Sequence, residues 1–249
     1  MRTEEFIGIL SERSSGEGLF ALREGTPLGI DVAGEIVLSQ MREHPFTARH
    51  TCVTGARRSA FIRRLIVHLS CLYDKSEVNL LVLSPRQEYG ELLRLKNADI
   101  TVPFVRTNAD VEKAKTCVRQ LIEDYGSGTG YPKLFLVLDG LEELPECNLN
   151  GDLEEYRAFF ELLARQKNVE LISGAELMKS IFSGNPGVFV GVGNCLVTTR
   201  EEGRADVTYV GEDSSLSMPT AMTFPDSPSV LESIIYLNAL SVKKGDEDA

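Results

Sequence analysis

Positive charge is the scarce commodity in this chain. Its 249 residues carry 26 Lys and Arg against 37 Asp and Glu, a formal net charge of −11. Duplex binding rests on neutralising phosphates with basic side chains, so a broad nucleic-acid surface is disfavoured. Histidine is rare as well. The three present, His44, His50 and His68, are scattered and give no metal-ligand spacing. The five cysteines, Cys52, Cys71, Cys117, Cys147 and Cys195, lie too far apart to read as metal ligands or a redox dithiol. They are expected to be reduced, buried thiols of a cytoplasmic protein. No apolar run approaches bilayer length, and the first ten residues lack a basic region followed by an apolar stretch, so neither a membrane span nor a secretory leader is expected. A Gly-x-Ser-x-Gly elbow, a paired-carboxylate signature and a histidine set by motif beside Ser or Cys are all missing, which argues against other nucleophilic or acid–base enzymes. What is present is an ordinary hydrophobic content of 43%. The length is enough for one α/β domain with a sizeable core.

The pattern along the chain is alternation. Residues 3–12 suit a short helix, and the Ser/Gly stretch at 14–18 breaks it. Residues 27–31 and 35–38 flank Ala33-Gly34, a hairpin signal. A strand at 51–54 precedes a helix at 59–73, where Phe61, Ile62, Leu65, Ile66, Leu69 and Leu72 mark one face. The unbroken apolar runs at 78–83 and 134–138 suit strands buried on both faces of a parallel sheet. Helices are expected at 86–95, 110–125, 153–165, 175–182 and 229–240. Further strands are expected at 102–105, 169–172, 188–190, 195–198, 207–210 and 220–224. Alternation of this length gives an α/β fold with a mainly parallel sheet and a C-terminal strand extension.

One constellation carries chemistry. The strand at 51–54 runs into Gly55, and a helix opens soon after on Ser59. This is the layout of a P-loop, in which glycines let backbone amides wrap phosphates, a lysine neutralises charge and a Ser/Thr hydroxyl holds Mg²⁺. The second half of such a site is an apolar strand ending in Asp, here the run closed by Asp139.

The ordered set of segments resembles the FtsK/SpoIIIE family of DNA-pumping ATPases. It comprises Pro27-Leu28-Gly29-Ile30-Asp31, the histidine-led strand from His50 to Gly55, the helix around Phe61-Ile62-Arg63-Arg64, the run at 77–83, the Asp139 strand and the closing strand and helix at 220–240. The resemblance spans roughly residues 26–240, and similar modules, some degenerate, occur in the multi-domain ATPases of type VII secretion. It implies a three-layer P-loop NTPase fold, a domain at 26–242 after an N-terminal helix and linker at 1–25, and a disordered acidic tail at 243–249. It implies a site built from Gly55, Arg57, Arg58, Ser59 and Asp139, with ATP and Mg²⁺ as the cofactors if that site is live.

The departures from that pattern point away from catalysis. If Ser59 holds the P-loop serine position, Arg58 replaces the lysine and Arg57 the glycine before it. The loop has also lost three residues. Arginine's fork does not reproduce lysine's point contact, and Arg57 cannot take glycine's conformations cheaply. Gly140 stands where the family has its catalytic Glu, with Glu142 and Glu143 displaced along the chain. Ser84-Pro85-Arg86 replaces Asp-Pro-Lys, and the polar sensor is missing from 170–174.

Three readings of residues 55–59 stay open: a tight turn with a serine cap, a residual anion pocket, or a competent ATPase site. Asp139 either accepts loop amides or serves Mg²⁺. Two of Arg57, Arg58, Arg63 and Arg64 are expected to line an exposed helix face, and the acids from Glu142 to Glu155 to be solvated. The leading expectation is a non-hydrolysing structural or regulatory subunit of a translocase-type assembly, partnered by related ATPase domains or by itself. The alternatives are an active DNA translocase with a divergent loop, and a nucleotide sensor that binds without hydrolysis.

Overall fold

A computed structural model describes residues 5–6, 8–9, 26–39, 49–73, 76–95, 99–102, 105–126, 133–144, 158, 162, 169–174, 195–201, 203–209 and 216–225. Its described strands are β1 (Pro27–Asp31), β2 (Ile36–Leu38), β3 (Arg49–Thr54), β4 (Val78–Leu83), β5 (Asp99–Thr101), β6 (Lys133–Leu138), β7 (Val169–Gly174), β8 (Cys195–Thr199), β9 (Arg204–Tyr209) and β10 (Thr220–Thr223). The described helices are α1 (Arg58–Leu72) and α2 (Asn108–Gly126), with 3-10 turns at Gln87–Arg94 and Leu141–Glu143. None of these helices is long and apolar enough to cross a membrane.

The strands form one sheet in the order β2-β1-β10-β9-β8-β3-β7-β6-β4-β5. Its centre, from β8 to β5, is parallel. Beyond β8, the strands β9, β10, β1 and β2 pair antiparallel. This is the expected α/β fold with a mainly parallel sheet. Every residue of β6 and β7 is buried, as the apolar runs require of strands covered on both faces. On α1, Phe61, Ile62, Leu65, Ile66 and Leu69 are all 2% exposed or less and join Val53, Val82, Val137, Ile172 and Val197 in the core.

The sheet does not lie flat. Thr26, beside β1, donates to Glu170 of β7 at 2.6 Å, although five steps separate these strands in the sheet. Tyr209 of β9 donates to the Leu38 carbonyl of β2 at 2.8 Å. Accumulated strand twist curls the antiparallel extension back over the parallel core. Glu170 is fully buried and is held by Lys133 at 2.6 Å, by Thr26 and, at 3.3 Å, by Ser39. A buried carboxylate needs such partners to stay charged.

The hairpin at 27–38 is as expected. Asp31 Oδ1 accepts the amides of Ala33 and Glu35 at 2.8 Å each, and Gly34 turns the chain at φ +82°.

Several expectations need correction. Of the strand expected at 102–105, residues 103 and 104 lie outside the described residues, and the described strand is Asp99–Thr101. The helix expected at 86–95 is a 3-10 turn. Tyr89, Leu92 and Leu95 are buried at a spacing of three, the period of that helix, so that each faces the core. The strand expected at 207–210 begins at Arg204 instead. Among the cysteines, Cys52 and Cys195 are buried free thiols but Cys117 is exposed. The helices expected at 175–182 and 229–240, the strand at 188–190 and the tail at 243–249 lie outside the described residues, as does nearly all of the helix at 153–165.

Candidate functional site

Parallel strands all end at one edge of the sheet, and α/β proteins place their sites there. At this edge β3 runs into Gly55, β7 ends in Gly174, β8 in Thr199, and β6 runs into Asp139. The crevice between β3 and β6 thus brings the two halves of the sequence motif together across β7.

Gly55 is required twice over. Its φ is +99°, and an added Cβ would lie 2.2 Å from the Thr199 carbonyl oxygen. The loop after it is folded onto its own neighbours. Arg57 N–H donates to Thr199 Oγ1 at 3.3 Å, and Arg58 N–H donates to the Gly55 carbonyl at 3.2 Å. Arg57 itself is exposed and forms the N-cap of α1 without a side-chain cap bond.

The serine-cap reading fails. Ser59 sits inside the first turn of α1, and its hydroxyl donates to Asp139 Oδ2 at 2.6 Å rather than capping a helix amide. A buried carboxylate is the stronger acceptor partner, so it wins over local capping. Asp139 is fully buried. Its Oδ2 also accepts from the Tyr89 hydroxyl at 2.8 Å, and its Oδ1 lies 2.7 Å from Arg58 Nε. That last contact is an ion pair without an aligned N–H, since Oδ1 receives no hydrogen bond. The loop-amide role expected of Asp139 gives way to this side-chain cluster.

Arg58 points inward. Its Nη2 donates to Glu142 Oε1 at 2.8 Å and lies 3.6 Å from Glu143 Oε1. Arg86, from the turn after β4, is the second cation. Its Nη1 donates to Ser59 Oγ, its Nη2 to Glu143, and its Nε stands 4.0 Å from Asp139 Oδ2. Burial works to lower the pKa of Arg86, but its hydrogen bond to the Glu143 carboxylate and the charges of Asp139 and Glu143 outweigh it, and the opposing charge of Arg58, and raise it. Burial, and then the charge of Asp139, raise the Tyr89 phenol well above its usual range, so it stays a neutral donor. Glu142 is therefore a largely buried ion-pair partner and not the solvated acid expected, Glu143 pairs with the arginines from an exposed position, and residues 145–155 of the expected acidic stretch lie outside the described residues.

Two glycines make room for the arginines. A Cβ on Gly174 would lie 3.2 Å from the Arg58 Cδ, Nε and Cζ atoms. Gly140, at φ +77°, faces the Arg86 side chain, whose Nε would be 2.9 Å from an added Cβ. The positive φ and the Arg86 side chain together account for glycine at position 140.

Of the residues singled out from sequence, Arg58, Ser59 and Asp139 converge within hydrogen-bond and ion-pair distance. Gly55 shapes the loop, and Arg57 stays outside. Arg63 and Arg64 are half-buried and not free on a helix face. Arg63 stands 3.8 Å from Glu88, and Arg64 donates to the Pro225 carbonyl at 2.7 Å. Sequence reasoning noted Arg86 only as a departure from the family pattern, not as a site residue, and missed Tyr89. The period of three from Tyr89 to Leu95 was the signal that aims this turn at the core. It also missed a buried contact between His50 Nε2 and Ser173 Oγ at 2.7 Å. Both residues are at most 2% exposed, so that pair braces β3 against β7 and offers a substrate no access.

No protein-family profile and no curated protein matches the sequence. Solved structures do. The cytoplasmic domain of the Thermomonospora curvata type VII secretion ATPase EccC superposes with a TM-score of 0.55 at 14% identity, covering 86% of this chain and 31% of that one. A protein described as an ATPase gives 0.58 at 12% identity, covering 88% and 93%. EssC (ATPases 2 and 3) from Geobacillus thermodenitrificans gives 0.50 at 14%, covering 87% and 49%. This chain spans less than half the length of the EccC and EssC chains it matches. The shared feature is the fold, an α/β fold with a mainly parallel sheet that this chain has in common with the type VII secretion ATPase EccC and with EssC.

Proposed function

We propose that this chain is an ATPase-type module that does not turn over nucleotide, and that it works as a structural or regulatory subunit of a translocase-type assembly. Its partners on this reading are related ATPase domains or further copies of itself. The observation that carries the proposal is the state of Ser59 and Asp139. In a working site the hydroxyl and the carboxylate serve a Mg²⁺ ion. Here Ser59 Oγ donates to Asp139 and accepts from Arg86, while Asp139 is occupied by Ser59, Tyr89 and Arg58. These residues do not fit a Mg²⁺–nucleotide.

Charge supports the same reading. Three carboxylates, Asp139, Glu142 and Glu143, surround two guanidiniums, which leaves a formal excess of one negative charge before any phosphate arrives. A triphosphate brought to that excess meets repulsion at short range. Glu142 and Glu143, engaged by arginines, are not placed to orient an attacking water. The loop amides of Arg57 and Arg58 are already turned to Thr199 and Gly55.

The test is phosphate release from ATP by the purified chain, with and without duplex DNA, beside Asp139→Ala. The proposal expects no turnover above background. Turnover abolished by Asp139→Ala would sink it, and stimulation by duplex DNA that falls with salt would identify a translocase instead. Thermal protection by ATP without turnover would replace it with a nucleotide sensor.

A further inference from the structure

We infer that Arg58 is a tethered cation that closes this site, seated between Ser59, Asp139, Glu142 and Glu143 where a free multivalent cation would otherwise bind. The inference builds on the reading that the site has lost nucleotide chemistry, but its test uses no nucleotide, so the two can fail separately.

The seat is built around the guanidinium. Arg58 is 7% exposed and Asp139 fully buried. Carboxylate oxygens stand 2.7, 2.8 and 3.6 Å from its Nε and Nη2, contributed by Asp139, Glu142 and Glu143 in turn. Gly174 leaves the space that the arginine side chain crosses. A second observation points to a cation seat. Two buried carboxylate oxygens, Asp139 Oδ1 and Glu142 Oε2, receive no hydrogen bond. The flat fork meets Asp139 Oδ1 at 2.7 Å by charge without an aligned N–H and bonds the other oxygen of Glu142, whereas a compact cation has no such directional demand. Among the described residues no group of acids is arranged to hold a metal as the chain stands. The seat also has an accessible side, because the Glu143 side chain is 49% exposed.

The first experiment is terbium luminescence on the full chain. The phenol of Tyr89 lies 2.8 Å from Asp139 through its hydroxyl, so a terbium ion in the seat would be sensitised by it. Arg58→Ala is expected to bind terbium more than about tenfold tighter than the wild-type chain, because one positive charge leaves a cluster of three carboxylates. Arg58→Ala/Asp139→Asn should lose that gain, which separates the seat from acids elsewhere on the surface. A folded Arg58→Ala chain that binds terbium no better than wild type overturns the inference, and so does a gain that survives Asp139→Asn.

The second experiment covers loss of folding. Methylguanidinium, below denaturing concentrations, should raise the melting temperature of Arg58→Ala, or refold it if it is unfolded alone. It should leave the wild-type chain unmoved, and tetramethylammonium should not substitute. Equal response to both ions, or no response, contradicts a guanidinium-shaped seat.

Discussion

Removing one partner of the Arg58–Asp139 pair should cost far more than removing both. Arg58→Met keeps most of the aliphatic stem that packs on Gly174 and deletes the charge. It leaves Asp139, fully buried, facing Glu142 and Glu143 with only Arg86 as a cation, whose Nε is 4.0 Å away. Breaking a buried pair in this way costs about 3–5 kcal/mol. In a chain of this size each kcal/mol moves the melting temperature by about 2–4 °C, so a drop of about 6–20 °C is expected. Asp139→Asn should also destabilise, since Arg58 loses its innermost partner. In the double variant Arg58→Met/Asp139→Asn neither orphaned charge remains, and Ser59 and Tyr89 can still bond the amide. The two single losses should therefore overshoot the double by about 2 kcal/mol or more, within the range for residues in contact. The chain has no tryptophan, so urea unfolding followed by far-UV circular dichroism is the assay. Additivity within about 0.5 kcal/mol would refute the argument, because residues that do not interact behave that way.

Other predictions follow from the same geometry. His68 is fully buried against the Phe6 ring at 5.0 Å, and burial, helped by the charge of Arg64, lowers its pKa from 6.5 to about 3. The unfolded chain therefore binds a proton between pH 6.5 and 3 that the folded chain refuses, and stability falls as pH drops through that window. By pH 5 the loss from this residue is about 2 kcal/mol, and a comparison of wild type with His68→Leu by urea titration at pH 7.5 and 5 should recover it. Gly174→Ala should push Arg58 off Asp139, since its Cβ would meet three arginine atoms at 3.2 Å. It should therefore lose part of the coupling found in the double-mutant cycle. Gly55→Ala combines φ +99° with a 2.2 Å approach to the Thr199 carbonyl and should cost of order 3 kcal/mol in a denaturation curve. Lys133→Met strands the buried Glu170 and should cost about 3–5 kcal/mol, with Lys133→Met/Glu170→Gln recovering much of it.

The fold was readable wherever one physical cause dominated. The runs at 78–83 and 134–138 suited strands covered on both faces, and Phe61, Ile62, Leu65, Ile66 and Leu69 suited one buried helix stripe, as both proved to be. Gly34 and Asp31 announced their turn. Reading failed where a weaker local signal met a stronger one. The pattern at 102–105 looked extended, but the described strand that pairs with β4 is at residues 99–101. Tyr89, Leu92 and Leu95, at a spacing of three, fit one face of a helix of either period, so the spacing alone did not distinguish a 3-10 turn from an α-helix.

The site was half legible for a different reason. That residues 55–59 and Asp139 would meet follows from the order of elements, because two parallel strands of one sheet end at the same edge. That Arg58 would turn inward does not follow, since its seat is made by residues far along the chain. Gly174 contributes only the absence of a side chain, and Gly140 looks like a lost catalytic residue until Arg86 is seen lying against it. The curl that brings Thr26 to Glu170 is likewise a sum of small strand twists with no signature at any one residue.

The central claim is that the chain has kept the ATPase fold and filled its nucleotide site with its own arginine. Calorimetric titration of the full chain with Mg²⁺ and a non-hydrolysable ATP analogue tests this most directly, with Arg58→Ala alongside. The account predicts no heat of binding at near-millimolar analogue for the wild-type chain. Saturable binding by the wild type that Arg58→Ala abolishes would contradict it, because Arg58 would then be holding a phosphate and not closing the site.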